Sequence, residues 1–454
     1  RQRKHPCARP RPACSPASMP PVGRPGAGMT TVGTPGAHPS ALEARRKKER
    51  RFVWLGRGAI ALALFFLATL FISIGAKGIP GFFQYYVTLE VSLDRERLDP
   101  MGDLSDQSFF DGQAKKLVNE AIYAELDVKG RTPKKLARKL LSNGSDVRLV
   151  EFVKNNPELL DSVYPVKLAL DDDADSYLRG FISKETPEKL RRIKDQQIAF
   201  LEALDEKGLI TREISDYLFF GSASRNAEMA GIKGAFFGSM LTLFICFIIA
   251  FPLGVATAIY LEIFAPKNKF TEIIEVNINN LAAVPSVVFG ILGLAIFINI
   301  FGMPRSVPLV GGIVLALMTL PTIIISSRAS LKAVPPSIRD GALGIGASEM
   351  QATFHHVVPL AIPGMLTGSI IGMAQALGET APLLMIGMVA FIVDIPNSVL
   401  DPGTVLPVQI FMWADFAERM FIQKTSSAII ILLAFLIVMN GIAIFIRRKL
   451  ERRW

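Results

Sequence analysis

The chain has 454 residues, half of them hydrophobic, and a formal net charge of +10. That apolar share is ordinary for a soluble domain. Its distribution is not, because the apolar residues collect in charge-poor blocks of about 20 residues or more, long enough to cross a bilayer as helices. The basic surplus sits at the ends of those blocks without an aromatic platform, which argues for membrane anchoring and against nucleic-acid binding.

Residues 1–51 read as a disordered basic tail, rich in Pro, Arg and Ala and ending in "RRKKERR". The sequence opens on Arg1, and Met29 offers an alternative start, so residues 1–28 are not securely part of the translated chain. A cleaved signal is not expected, since the first apolar block is long and lacks a small-residue cleavage pattern. That block, residues 52–76, is the first expected transmembrane helix.

An insert follows at residues 79–229. Stretches such as "AKKLVNEAIYAEL" and "PEKLRRIKDQQIAFLEALDEKGLI" carry apolar residues at helical spacing, so the insert is expected to be α-rich, with some strand after "GFFQYYVTLEVSL". "LDDDADS" superficially suggests Ca²⁺ ligands. It lacks the glycine turn and distal Glu of an EF-hand loop, so a solvated acidic loop is the expectation.

Five more blocks follow, at about 234–261, 276–303, 306–327, 360–393 and 426–445. The fold expected is therefore an all-α integral membrane protein of six transmembrane helices carrying an α-rich insert. Residues 448–454 form a second basic tail. Lys and Arg at both ends place the two termini in the cytoplasm and the insert outside it. Cys7, Cys14 and Cys246 fit neither a disulfide framework nor metal-ligand spacing. No P-loop, zincin or nucleophile-elbow motif is present, so neither a catalytic residue nor a metal ligand is assigned, and any energy source must be a partner.

Between the fourth and fifth blocks runs "RDGALGIGASEMQATFHHVVP", residues 339–359. Small residues behind Asp340 let another backbone approach closely, and the amphipathic half after Gly346 suits docking in a cleft. A merely solvated loop is the competing reading. His355 and His356 are adjacent and point about 100° apart on a helix, so they suit a surface contact better than one shared metal.

This stretch resembles the coupling loop of ABC importer permeases, whose pattern is E-A-A, three residues, G, nine residues, then I-x-L-P. Asp340, Gly341 and Ala342 stand at E-A-A, while Gly346 and Pro359 match the Gly and Pro. Asp340 replaces Glu, Gly341 replaces Ala, His356 replaces Ile and Val358 replaces Leu. "FPLGVATAIYLE" (251–262), "MAQALGETAPLL" (373–384) and "LPV" (406–408) before Phe411, Met412 and Trp413 are similar to phosphate-specific permease subunits of the PstA type, in the extended form with a long insert. The resemblance implies a permease domain over residues 232–447 with a coupling loop at 328–359. It implies a subunit of an ATP-driven phosphate importer of the bacterial inner membrane. Implied partners are a second permease (PstC type), ATPase subunits (PstB type) that bind the ATP and Mg, and a periplasmic phosphate-binding protein (PstS type), besides membrane lipids. This chain itself is assigned no cofactor and no enzymatic activity.

Ionisable residues within membrane helices are functional candidates by default. Glu379 is the clearest, joined as path candidates by Gln375, Thr380 and Arg328. Gln375 lies one helical turn before Glu379, on the same face, and is expected to hydrogen-bond to it. The family often carries Arg at the position of Gln375, so a simple Arg–Glu gate is not expected. Arg305 and Arg328 also suit interfacial anchoring, and Pro285, Pro321, Pro363 and Pro382 interrupt membrane helices. The alternatives are a permease for another oxyanion, molybdate or sulfate, a membrane-anchored sensor, and, less well supported, an intramembrane hydrolase.

Overall fold

The structure is a computed structural model, and it describes residues 39–101, 109, 113–389, 392 and 395–450. The chain divides into two units, up to Leu67 and from Ala68 onward. The described part of the first unit is a single helical stretch of α1 (Pro39–Gly78). Residues 39–51, expected to belong to the disordered tail, are helical. "PSALEARRKKERR" supplies Pro at the first position and then Ala, Leu, Glu, Lys and Arg, all strong helix formers. Residues 1–38 of that expected tail lie outside the described residues.

In the second unit, the insert is built on β1 (Phe83–Ser92). Helices α2 (Ala114–Glu125), α3 (Arg131–Arg138) and α4 (Ser145–Asn155) follow, then β2 (Val163–Ala169), α5 (Asp172–Leu178), α6 (Asp195–Glu206) and β3 (Ile210–Ile214). The insert is helix-rich, and its centre is an antiparallel sheet of order β2-β1-β3. β1 pairs Leu89 with Val166 on one side and Phe83 with Ile214 on the other. The strand expected after "GFFQYYVTLEVSL" instead lies within that stretch, and it is the central one. Its alternation aims Val87, Leu89 and Val91 into the insert core with Leu117, Ile122, Leu168 and Leu201. Gln84 and Tyr86 are buried on the opposite face.

"LDDDADS" is not a solvated loop. Asp171 caps α5, accepting from the Asp173 N–H, and Asp172 and Asp175 are buried at 8% and 0% exposure. An Asp at the N-cap followed by acidic residues is the favoured start of a helix, because its carboxylate meets the unpaired N–H groups there.

The membrane portion comprises α7 (Lys233–Ile259), α8 (Lys269–Ala282), α9 (Ser286–Gly293), α10 (Pro308–Lys332), α11 (Pro336–Gly344), α12 (Glu349–Gly378), α13 (Ala381–Met385), α14 (Leu406–Ala414) and α15 (Arg419–Leu450). Among the described residues, five helices are long and apolar enough to cross a bilayer, or six if α8 and α9 count as one span. That pair is bent by 101°, so the expected straight span over 276–303 is broken. The break falls at Pro285, which lacks an N–H and drives the residue before it out of helical geometry. The expected run over 360–393 also stops early, at Gly378, where Glu379 turns extended. Packing centres on α7, α10 and α12, with Leu243, Cys246, Val310, Val314, Ile323 and Met373 in their core. Gly312 fits against the side chain of Ile245, where an added Cβ would lie 2.6 Å away. Such close approach through small residues is how membrane helices pack without a water-driven force.

Candidate functional site

The expected coupling loop is an ordered helical hairpin. α10 runs on past Arg328 to Lys332, Pro335 and Pro336 start α11, and the chain turns at Gly346. Gly346 has φ +95, in the left-handed region that favours glycine. The turn closes α11 with two bonds, Ala347 N–H to Ala342 O at 3.1 Å and Gly346 N–H to Leu343 O at 3.0 Å. These are the paired contacts of a Schellman cap. Two residues later Ser348 opens α12 with a capping box. Its hydroxyl accepts from the Gln351 N–H at 3.2 Å, and the Gln351 side chain accepts from the Ser348 N–H at 3.0 Å.

The hairpin has two faces. Ala342, Ala352, Thr353 and Val357 are buried inward. Outward lie Asp340, Gly341, His355 and His356, with Ile345, Met350 and Phe354 as exposed large apolar side chains. Both histidines are exposed on a helical face. Nothing approaches within 4 Å of a Cβ placed at Gly341, Gly344 or Gly346, so this side is open. Pro359 continues α12 directly after a π turn over Ala352–Val357. A π turn already displaces the bonding pattern, which accommodates a residue without an N–H.

From Ser348 the hairpin passes straight into α12, whose 30 residues end at Gly378. At 1.5 Å per residue this is a continuous rod of about 45 Å. Gly364 and Gly368 seat it against Ser330 and Ser326 of α10, closely enough that an added Cβ would lie 2.3 and 1.8 Å from their hydroxyls.

The far end of α12 carries the membrane candidates. Glu379 caps α12, its N–H bonding Ala376 O at 3.3 Å, and its φ −77, ψ 118 leaves the helix. Gln375 therefore does not share a helical face with Glu379, and no hydrogen bond joins their side chains among the described residues. Gln375 is exposed, while Glu379 and Thr380 are half-buried. α13 then packs on α9, where a Cβ at Gly290 would sit 2.6 Å from Pro382 Cα. The two interrupted helices thus meet near their breaks.

Arg328 lies elsewhere and is engaged. Its guanidinium bonds Glu262 at 3.2 Å and Glu275 at 2.8 Å, and Lys332 approaches Glu262 at 3.6 Å. This knot ties α10 to α8 and to the π turn (Tyr260–Phe264) that ends α7. Neither carboxylate was singled out from sequence, although Glu262 and Glu275 punctuate otherwise apolar runs. The structure brings Asp340, Gly341, Ala342, Gly346 and Pro359 into one hairpin, and Glu379 and Thr380 to one break. Arg328 belongs to neither.

Residues 250–454 match the family described as binding-protein-dependent transport system inner membrane component, and residues 40–188 match a domain family of unknown function. The probable ABC transporter permease protein YqgI of Bacillus subtilis is 32% identical over 162 residues, covering 36% of this chain and 55% of that protein. The phosphate transport system permease protein PstC of Haemophilus influenzae is 31% identical over 224 residues, 44% of this chain and 70% of that protein. PstA of Mycobacterium leprae is 30% identical over 156 residues, 34% and 51% respectively. The chain thus spans about half the length of YqgI and of that PstA.

Proposed function

The chain belongs to the family of binding-protein-dependent transport system inner membrane components, and from that premise we propose that it is one of two permease subunits of an ATP-driven importer of inorganic phosphate. Relatives named as phosphate transport permeases, of both PstC and PstA types, support the substrate. The "GETAPLL" stretch favours the PstA type for this chain. A PstC-type permease completes the path, PstB-type ATPases bind ATP and Mg, and a PstS-type protein delivers phosphate on the insert's side. Both termini face the cytoplasm.

The observation that carries this reading is the unbroken passage from the capped hairpin into α12. The open face with Ile345, Met350 and Phe354 suits a cleft on an ATPase, and Asp340, Gly341, Ala342 and Gly346 let that partner come close. Closure of the ATPases displaces the hairpin, and the Gly–Ser seam carries α12 and α10 together. The motion ends at the Glu379–Thr380 break. There the Gln375 amide and Thr380 hydroxyl offer hydrogen bonds to a phosphate. The Glu379 carboxylate stands at the negative end of α12 and repels an anion that lingers beside it, favouring passage over retention. ATP and loaded binding protein then bias two packed states in opposite directions.

The test is uptake of radiolabelled phosphate at low external phosphate, in cells with no other phosphate importer, with and without this chain. Uptake that requires the chain and resists excess molybdate and sulfate supports the reading. Inhibition by either competitor reassigns the path to that oxyanion, and unchanged uptake removes phosphate as the substrate.

A further inference from the structure

A second polar assembly lies outside this site, where the insert meets the first turns of α15. Lys424 is 2% exposed and donates to Glu228 O at 3.1 Å and Ala230 O at 2.8 Å, just ahead of α7. Arg179 pairs with Asp175 and donates to Pro80 O at 2.7 Å and the Gln423 side chain at 2.8 Å. Asp172 accepts the Met420 N–H at 3.2 Å, so the insert caps the membrane helix α15 from outside its own sequence. Ser142 donates to the Glu228 carboxylate at 2.8 Å. Ser427 donates to Gly78 O at 2.7 Å, so the ends of α1, α7 and α15 share one node.

The charges of this node do not balance. Three buried carboxylates, Asp172, Asp175 and Glu228, face two buried cations, Arg179 and Lys424. Asp171 and Asp173 add to the negative side, as does Glu418 of α15, while Arg192 and Lys139 oppose them beside Asp173 and Arg419 of α15 donates to Phe181 O at the rim. An uncompensated buried charge is costly, and binding a proton relieves it. The proton has a route, because Asp171 and Asp173 line a polar cleft of about 450 Å³ rimmed by Lys115, Lys139 and Arg192.

We infer that this junction is a proton-operated latch, in which proton uptake from the insert's side of the membrane docks the insert on α15 and proton release loosens it. Burial and then Asp173 push the Asp172 carboxyl up to about 6, and burial and then Glu228 push Asp171 up to about 7. Both lie above the ordinary 3.8, so protons bind the folded junction more tightly than the unfolded chain. Docking is therefore strongest below the ordinary 3.8 and weakens as pH rises from there to about 7, where both carboxyls have released their protons. The bond from Met420 survives protonation, since the carboxyl keeps an acceptor oxygen.

The test places spin labels at Glu206→Cys on α6 and Ile422→Cys on α15, both exposed, in the full chain in lipid nanodiscs with Cys7 and Cys14 replaced by Ser. The expected result is one narrow distance at pH 4.5 that broadens by pH 7. Asp172→Asn keeps an acceptor for Met420 but cannot titrate, and it broadens less than the wild type as the pH rises, the remaining response coming from Asp171. Glu228→Gln removes one negative charge from the node independently and weakens the pH response if Asp172→Asn fails to fold. A wild-type distance indifferent to pH overturns the latch, as does an unaltered wild-type response in the variants that fold. Phosphate uptake is not the readout, so this outcome is separate from the transport reading.

Discussion

The guanidinium of Arg328 stands 2.8 Å from the Glu275 carboxylate, and this bond fixes helix α10 to the first arm of the bent pair α8–α9. With Glu262 on the same guanidinium, one cation holds two carboxylates, each at least partly withdrawn from solvent. A planar fork can serve two acceptors at once, which an ammonium does less well.

Arg328→Ala leaves both carboxylates without their strongest partner and is expected to destabilise the permease by about 1–3 kcal/mol. Thermal melting of purified protein checks this. Arg328→Lys is expected to recover only part of the loss, because a single ammonium cannot reproduce the paired geometry.

At Gly290 the expectation is overpacking. A Cβ there meets Pro382 Cα at 2.6 Å and its carbonyl oxygen at 2.8 Å, backbone atoms that cannot swing aside. Gly290→Ala should cost about 1–3 kcal/mol in stability. Gly441→Ala, where nothing lies within 4 Å, should be neutral or stabilising by up to about 1 kcal/mol. Equal melting temperatures for the two variants would contradict the close contact of α9 with α13.

Gly346 separates conformation from space. Its surroundings are open, yet φ +95 makes any side chain unfavourable by roughly 1–2 kcal/mol. Gly346→Trp should abolish transport while leaving membrane insertion and yield intact. Gly344→Ala, inside α11 and equally open, should transport normally. Both are read by uptake normalised to the amount of chain in the membrane.

Ile345 is 87% exposed and Met350 60%, so changing them should not alter stability. Ile345→Asp with Met350→Asp is expected to reduce recovery of the ATPase subunits on affinity purification of this chain by at least about tenfold, the loss expected when apolar anchors leave an interface centre. Unchanged recovery would move the ATPase contact off the hairpin tip.

The apolar blocks, the insert and the hairpin could be read from residues because each depends on local pattern. "GIGAS" carries its own turn, with Gly at the left-handed position and Ser at the next cap. Pro285 announces a break, but not an angle of 101°, which depends on what α8 and α9 pack against. The acidic run 171–175 misled for a related reason. Charge density argues for solvent unless partners are known, and Met420 and Lys424 are supplied by the fold, although Arg179, one helical turn after Asp175, is a local partner. Gln375 and Glu379 look like neighbours only on an uninterrupted helix, and Gly378 ends it. The Glu262–Arg328–Glu275 knot joins positions up to 66 residues apart, beyond any local signal.

The pairing of Phe83 with Ile214 makes the insert a closed excursion of the chain. β1 leaves just after α1 and finds its last partner in β3, about 20 residues ahead of α7. During synthesis, everything its sheet requires has emerged before the second membrane helix is complete. The insert can therefore finish folding while the permease core is still being made, and α15, the last span to arrive, must dock onto a finished surface. Lys424 and Met420 then serve as the closing joint of assembly, and a defect there would surface as chains that insert and fold their outer domain yet fail to mature.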